Sequence, residues 1–192
     1  AYHSTKKTKE THKKWLHGRD VRKYSVIWNG KEYIEYGEGI ANPRDPKFFI
    51  GKRILIREIT NPSIFASITN LELYNDPSVL IIKENDKSFK LEILLAILNS
   101  KLATFYHFNS SPKATKGAFP KILVYDIKKF PLPKSIDNGV ILNKVTQVLK
   151  LKATNPEADT SKLESEIDRL VYELYDLTEE EIGIIEGDNK KM

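Results

Sequence analysis

The stretch Lys90–Phe108, KLEILLAILNSKLATFYHF, is the longest apolar run in the sequence and limits most what the chain can fold into. Leu91, Leu94, Leu95, Leu98, Leu102 and Phe105 recur at helical spacing, and Ile97 widens the stripe. Lys90, Glu92, Asn99, Ser100, Lys101 and Thr104 take the other face. A helix with so wide an apolar arc must be covered on most sides, so a sheet is expected to pack on it. Asp86 or Ser88 is its expected N-cap. The segment after it, Asn109–Ala118, is small, polar and basic and reads as an exposed cationic loop.

The sheet is expected upstream. Arg53–Arg57 alternates with a period of two: Ile54 and Ile56 on one side, Arg53, Leu55 and Arg57 on the other. Ile64–Thr69 and Val79–Lys83 are two more such runs, with breaks at Asn61-Pro62 and Asn75-Asp76-Pro77. Short breaks between strands imply a mainly antiparallel sheet. Asn29-Gly30, between SVIW and KEYIEY, is a two-residue hairpin signal, because a type I′ turn needs positive φ at both positions. The loop ANPRDPK holds Pro43 and Pro46, which bar a helix. Ile122–Tyr125 is apolar enough for one more strand.

Two amphipathic helices are expected after Pro133. Val140–Lys152 puts Ile141, Val145, Val148 and Leu149 on one face, and a second helix carries Leu163, Ile167, Leu170, Val171 and Leu174. Ser161 with Glu164, and Thr178 with Glu181, have capping-box spacing. The expectation is therefore an α+β fold, a mainly antiparallel sheet on a long buried helix followed by a C-terminal helical hairpin. Residues 1–14 read as a basic arm or linker, 15–134 as the α+β body, 135–187 as the helical appendage and 188–192 as a tail.

Charge is divided along the chain. Residues 1–156 carry 27 Lys and Arg against 14 Asp and Glu, whereas residues 157–192 carry 4 against 12. A basic body suggests a polyanionic partner. The chain has no cysteine, which excludes a disulfide framework and fits a reducing, cytoplasmic setting. No window holds 18 uncharged apolar residues, so no membrane span is expected. The first residue is Ala rather than Met, which points to a piece of a longer protein.

Enzyme signatures are missing from the sequence: GxGxxG, GxxxxGK[ST], GxSxG, HExxH and CxxC do not occur. Asp76, Lys83 and Glu84 loosely resemble a metal-dependent nuclease cluster, but Lys83 and Glu84 are adjacent in a strand and face opposite ways, so turn and surface charges are the better account. His3 and His12 have no partners at ligand spacing. Binding chemistry remains. Arg53 and Arg57 share one strand face, and Ser110, Ser111, Lys113, Thr115 and Lys116 cluster on the loop, with Arg19, Arg22 and Lys23 before the first strand. Arginine and lysine reach base edges in the major groove, and hydroxyls and lysines take phosphates.

In order and spacing, GRDVRKY, GKRILIREIT with FASIT, LLAILNSKLATFYHF, FPKI, FPLP and ESEIDRLVYELYDLTEEEI resemble the TaqI-like C-terminal specificity domain. The resemblance spans roughly Gly18 to Glu186, and LAILNSKL and EIDRLVYELYDLTEEE are its most specific parts. It implies a target-recognition domain that reads double-stranded DNA for an adenine-specific methyltransferase domain of the same polypeptide, in some members fused to an endonuclease of type IIG. That domain would bind S-adenosylmethionine, and Mg²⁺ where it also cleaves; no cofactor is expected on this chain. NPRD at Asn42–Asp45 lacks the second proline and the aromatic of an NPPY-type motif. On this reading Arg53, Arg57, Lys113, Thr115 and Lys116 read bases, with Ser110 and Ser111 beside them, and Arg19, Arg22 and Lys23 hold the backbone. The alternatives are a protein-interaction module built on the acidic helices and a nuclease with a cryptic acidic site.

Overall fold

A computed structural model describes residues 2–84, 90–115, 119–133 and 138–187. In chain order its strands are β1 (His3–Ser4), β2 (His12–Leu16), β3 (Val21–Arg22), β4 (Ser25–Val26), β5 (Tyr33–Glu35), β6 (Arg53–Arg57), β7 (Ala66–Thr69), β8 (Tyr74–Asn75) and β9 (Val79–Lys83). Its α-helices are α1 (Leu91–Asn99), α2 (Lys101–Ser110), α3 (Pro112–Thr115), α4 (Val124–Lys129), α5 (Gly139–Thr154), α6 (Ser161–Leu174) and α7 (Glu179–Glu186). The fold is α+β, as the alternating and helical periodicities imply.

The central layer is the antiparallel sheet β7-β6-β9, with Ile54 opposite Ile68 on one side and Ile82 on the other. Ile54 and Ile56 face α1 in a core that also holds Leu95, Leu98, Val145, Val148, Ile167 and Val171. Helices α5 and α6 thus close the same core as the sheet, and α1 lies between them and it, its Leu91, Ile93, Leu95, Ala96, Ile97 and Leu98 all buried. Leu55, on the opposite face of β6, packs with Leu16, Val21, Leu73 and Val79. Both faces of β6 are therefore covered, which the period-two pattern alone did not reveal.

A second sheet has the order β1-β5-β2-β8, with β2 and β8 parallel. The basic segment expected as an arm or linker thus supplies two strands that pair with β5. The chain bends at Asn29-Gly30, with Gly30 at φ +79° and the Asn29 side chain accepting from Lys31 N at 2.8 Å, but Asn29 does not take a positive φ, so the expected type I′ turn is not formed. The bend joins no hairpin either: β4 pairs with β3 across Lys23-Tyr24, while β5 pairs with β1 and β2. Trp15, Ile34, Phe49 and Tyr74 fill the space under this sheet, with Phe49 stacked on Tyr74 at 4.3 Å.

The long helix is interrupted. Ser100 is extended at φ −69°, ψ 159°, ends α1, and caps α2 by accepting from Ala103 N at 3.1 Å. The stretch LNSKL is therefore a helix–helix junction. Asn99 turns inward there: its amide accepts from Ala66 N at 2.9 Å and donates to Ala66 O at 3.0 Å, clipping edge strand β7 to the end of α1. Removing a buried partner leaves Ala66 N unpaired, so Asn99→Ala is expected to lower unfolding free energy by about 1–3 kcal/mol. Urea denaturation measures it, and Asn99→Asp, which keeps only the acceptor role, is expected to fall between.

Three local expectations are corrected. Ile122–Tyr125 is not a strand: Asp126 accepts from Leu123 N at 2.8 Å and starts α4, leaving only a bridge between Lys121 and Ile59. Pro46–Phe49 is a 3₁₀ turn, because a proline fits a first helical position and Asp45 caps it by accepting from Lys47 N. Thr160, not Ser161, occupies the N-cap of α6, and its hydroxyl donates to Glu164 at 2.6 Å. The Thr178–Glu181 capping box does form. The candidate caps Asp86 and Ser88 lie outside the described residues.

Candidate nucleic-acid interface

Strand β6 runs out of the core at Arg57, and four segments meet at its end. Glu58 N donates to Ser78 O at 2.8 Å, and Ile122 N donates to Glu58 O at 2.9 Å. Gly18 N donates to Ser78 Oγ at 3.0 Å. Position 18 has to be glycine for this approach, since a Cβ there would lie 2.9 Å from Ser78 Oγ and 3.5 Å from the Arg57 stem. Lys121 N donates to Lys113 O at 3.1 Å, which ties α3 to the same place. The result is a rim carrying Arg19, Arg57, Lys113 and Lys121.

Arg57 stands with its guanidinium 5.1 Å above the Phe65 ring. A cation held on an aromatic face keeps its in-plane donors, and those are the groups that take guanine O6 and N7 or a phosphate. Arg19 pairs with Glu32 at 3.3 Å and Lys121 with Glu58 at 3.2 Å. Arg19 is 68% and Lys121 44% exposed, and such surface pairs contribute only about 0–1 kcal/mol, so a phosphate can displace the carboxylate. Behind Arg19, His17 Nδ1 lies 2.7 Å from Asp76, whose other oxygen accepts from Ser78 N at 2.8 Å. This network fixes the 17–20 turn. It also occupies Asp76, while Lys83 donates to the carbonyls of Lys47 and Ile50.

The expected base readers separate. Arg57, Lys113, Thr115 and Ser110 are at the surface of the rim or its α2–α3 extension. Among its described residues, the segment expected as a loop is mostly helical: α2 runs to Ser110, and Pro112–Thr115 forms α3. Ser111 between them is buried, and Lys116 lies outside the described residues.

Arg53 is corrected outright. It is fully buried, donates to Gly51 O at 2.8 Å and Leu73 O at 3.0 Å, and has no route to DNA. Burial pulls its pKa down to about 10, so it stays charged at neutral pH. Lys23 is half-buried and its ammonium is engaged: it donates to Asn99 O at 2.8 Å, filling an open carbonyl at the end of α1. Burial lowers the Lys23 pKa. Arg22 is exposed and pairs with Glu157 in the connection between α5 and α6, beside the acidic helices. Lys121 was not anticipated. Its sequence neighbours suggested a strand, and the bridge to Ile59 together with the bond from Ile122 N to Glu58 O brings it to Arg57.

The acidic helices face inward with their apolar sides. Lys101 is paired with Glu186, which also accepts from Tyr172 OH at 2.8 Å, and Lys144 is paired with Glu166 at 2.6 Å. Asp168 is buried and accepts from Lys101 N at 2.9 Å, at the first turn of α2. Its pKa is raised, chiefly by burial.

Beside the rim, α2 and α4 enclose a cleft of about 270 Å³. His107 is part of its wall; Nε2 lies 3.1 Å from Thr60 Oγ1, and the buried Nδ1 has no partner among the described residues. Burial lowers the His107 pKa below the usual 6.5, so the unfolded chain takes up a proton first as pH falls. Stability is therefore fully present above pH 6.5 and is lost as pH falls below it. His107→Gln is expected to flatten this loss between pH 7 and pH 5, as read from urea midpoints.

Among the described residues no group of three His, Asp or Glu side chains is placed to hold a metal ion, and no helix is long and apolar enough to cross a membrane. Over residues 13–132, more than half of its length, the chain matches the TaqI-like C-terminal specificity domain family. That stretch contains the whole rim, from Gly18 to Lys121. The family is one of DNA-recognition specificity domains, not of catalytic ones. No curated protein matches the chain.

Proposed function

Since this chain belongs to the TaqI-like C-terminal specificity domain family, we propose that it reads a short duplex sequence through the rim at the end of β6 and positions that DNA for an adenine-specific methyltransferase domain on the same polypeptide. The observation that carries the reading is the convergence of the segments bearing Arg19, Arg57, Lys113 and Lys121 at the end of the central strand β6. Lysines and hydroxyls there supply sequence-blind affinity through the phosphates. Arg57, preorganised over Phe65, reads a base edge, and each good bidentate contact discriminates by about 1–3 kcal/mol. Thr115 and Ser110 extend the contact along the α2–α3 surface.

Catalysis belongs to the partner domain, which would bind S-adenosylmethionine and, in a fused restriction enzyme, Mg²⁺. The protein would work in the cytoplasm, where its DNA substrate is. Selection from a pool of duplexes with a randomised centre tests the reading. The expected result is enrichment of one short sequence, with each mismatch weakening binding by about 1–3 kcal/mol. Uniform recovery of all sequences by a folded sample would contradict it.

A further inference from the structure

The cleft between α2 and α4 has a chemistry that the rim does not use. Tyr106 and Phe130 meet edge to face at 5.1 Å inside it. Tyr125 stands at the cleft, 61% exposed, with the Lys129 ammonium 4.4 Å above its ring. Asp126 accepts from Leu123 N with one carboxylate oxygen, and His107 contributes the buried, unpartnered Nδ1. A buried polar atom without a partner is costly and calls for one. The volume, about 270 Å³, is about nine waters' share of liquid, which suits one nucleoside and not a base pair.

We propose that this cleft binds a single nucleotide, its base stacked on Tyr125 and Tyr106, its polar edge on Asp126 and His107, and its phosphate on Lys129. Every base has a π face, so aromatic walls accept any of them. A carboxylate accepts from an exocyclic amino group, so bases that carry one bind better than thymine. A cation beside the stacking ring suits the phosphate attached to the stacked base. Two sources supply such a group, a free nucleotide or an unstacked base of bound DNA. The second rests on the recognition function proposed above; the chemistry of the cleft does not.

Titration of the isotope-labelled chain with dCMP, dAMP and TMP, followed by amide NMR shifts, tests the proposal. Saturable shifts confined to residues 106–110 and 125–130 are expected, with TMP several-fold weaker. Tyr125 is exposed, so Tyr125→Ala is expected to keep the melting temperature and to weaken nucleotide binding about tenfold. In the second arm, a duplex with one unpaired cytosine is compared with the fully paired duplex. Tighter binding of the first by wild type, abolished in Tyr125→Ala, assigns the cleft to an unstacked base of DNA; nucleotide binding without that gain assigns it to free nucleotide. Absence of saturable shifts, or shifts at Arg57 and Lys121 that Tyr125→Ala leaves unchanged, overturns the proposal. Failure of the paired duplex to bind in the same samples counts against the recognition function alone.

Discussion

Arg53→Ala is expected to lower the unfolding free energy by about 3–5 kcal/mol while leaving the DNA affinity of the folded protein unchanged. The loss follows from two hydrogen bonds by a charged group, to the partly buried Gly51 O and the buried Leu73 O, each contributing about 1.5–3 kcal/mol. A large side chain is also removed from a fully buried position, leaving a cavity. Arg53→Met keeps most of the volume but not the donors, so it separates packing from hydrogen bonding. Urea denaturation and duplex titration of the same samples read the two effects. A stable Arg53→Ala that fails to bind DNA would show that the residue reaches the duplex after all.

Arg53 also shows where the sequence was legible and where it was not. The period-two pattern identified β6, β7 and β9 correctly, since alternation is a property of the strand itself. Which face is wet depends on what lies above it. Leu16, Val21 and Leu73, distant in sequence, cover the face that carries Arg53, Leu55 and Arg57. The strands β2 and β8 pair parallel across nearly sixty residues of chain, and no local signal announces such a pair.

The helix break at Ser100 had a readable signal, a hydroxyl residue able to cap, but the apolar stripe runs through it and outweighed it. Ile122–Tyr125 was too short for periodicity to separate strand from helix, and Asp126 decided it by capping. Of the proposed interface residues, Lys113 and Thr115 are exposed and Arg57 half-buried, as surface contacts require. Lys23 and Arg53 both spend their donors on backbone carbonyls of the protein itself, Lys23 half-buried and Arg53 fully buried. Lys121 was missed because its place is set by a contact with Ile59.

Arg57→Ala combined with Lys121→Ala is expected to weaken duplex binding by about 2–4 kcal/mol, roughly 30- to 1,000-fold. Arg57 contributes the larger share, because its ring-held guanidinium is preorganised for a bidentate contact. Lys121, 44% exposed and paired with Glu58, contributes as a phosphate contact. Neither lies in the buried core, so melting is expected to shift little. Arg22→Ala should change affinity much less, since its partner is Glu157 beside the acidic helices.

The most direct test is titration of a labelled duplex with the wild-type chain and the double variant at several salt concentrations. The predicted result is a steep linear fall of log K with log salt for the wild type, and a slope shallower by about 1 for the variant, because Lys121 is the phosphate contact and Arg57 reads a base edge. A folded wild-type chain that does not bind at low salt, or a double variant with an unchanged slope, would contradict the claim that this rim is the DNA-recognition surface.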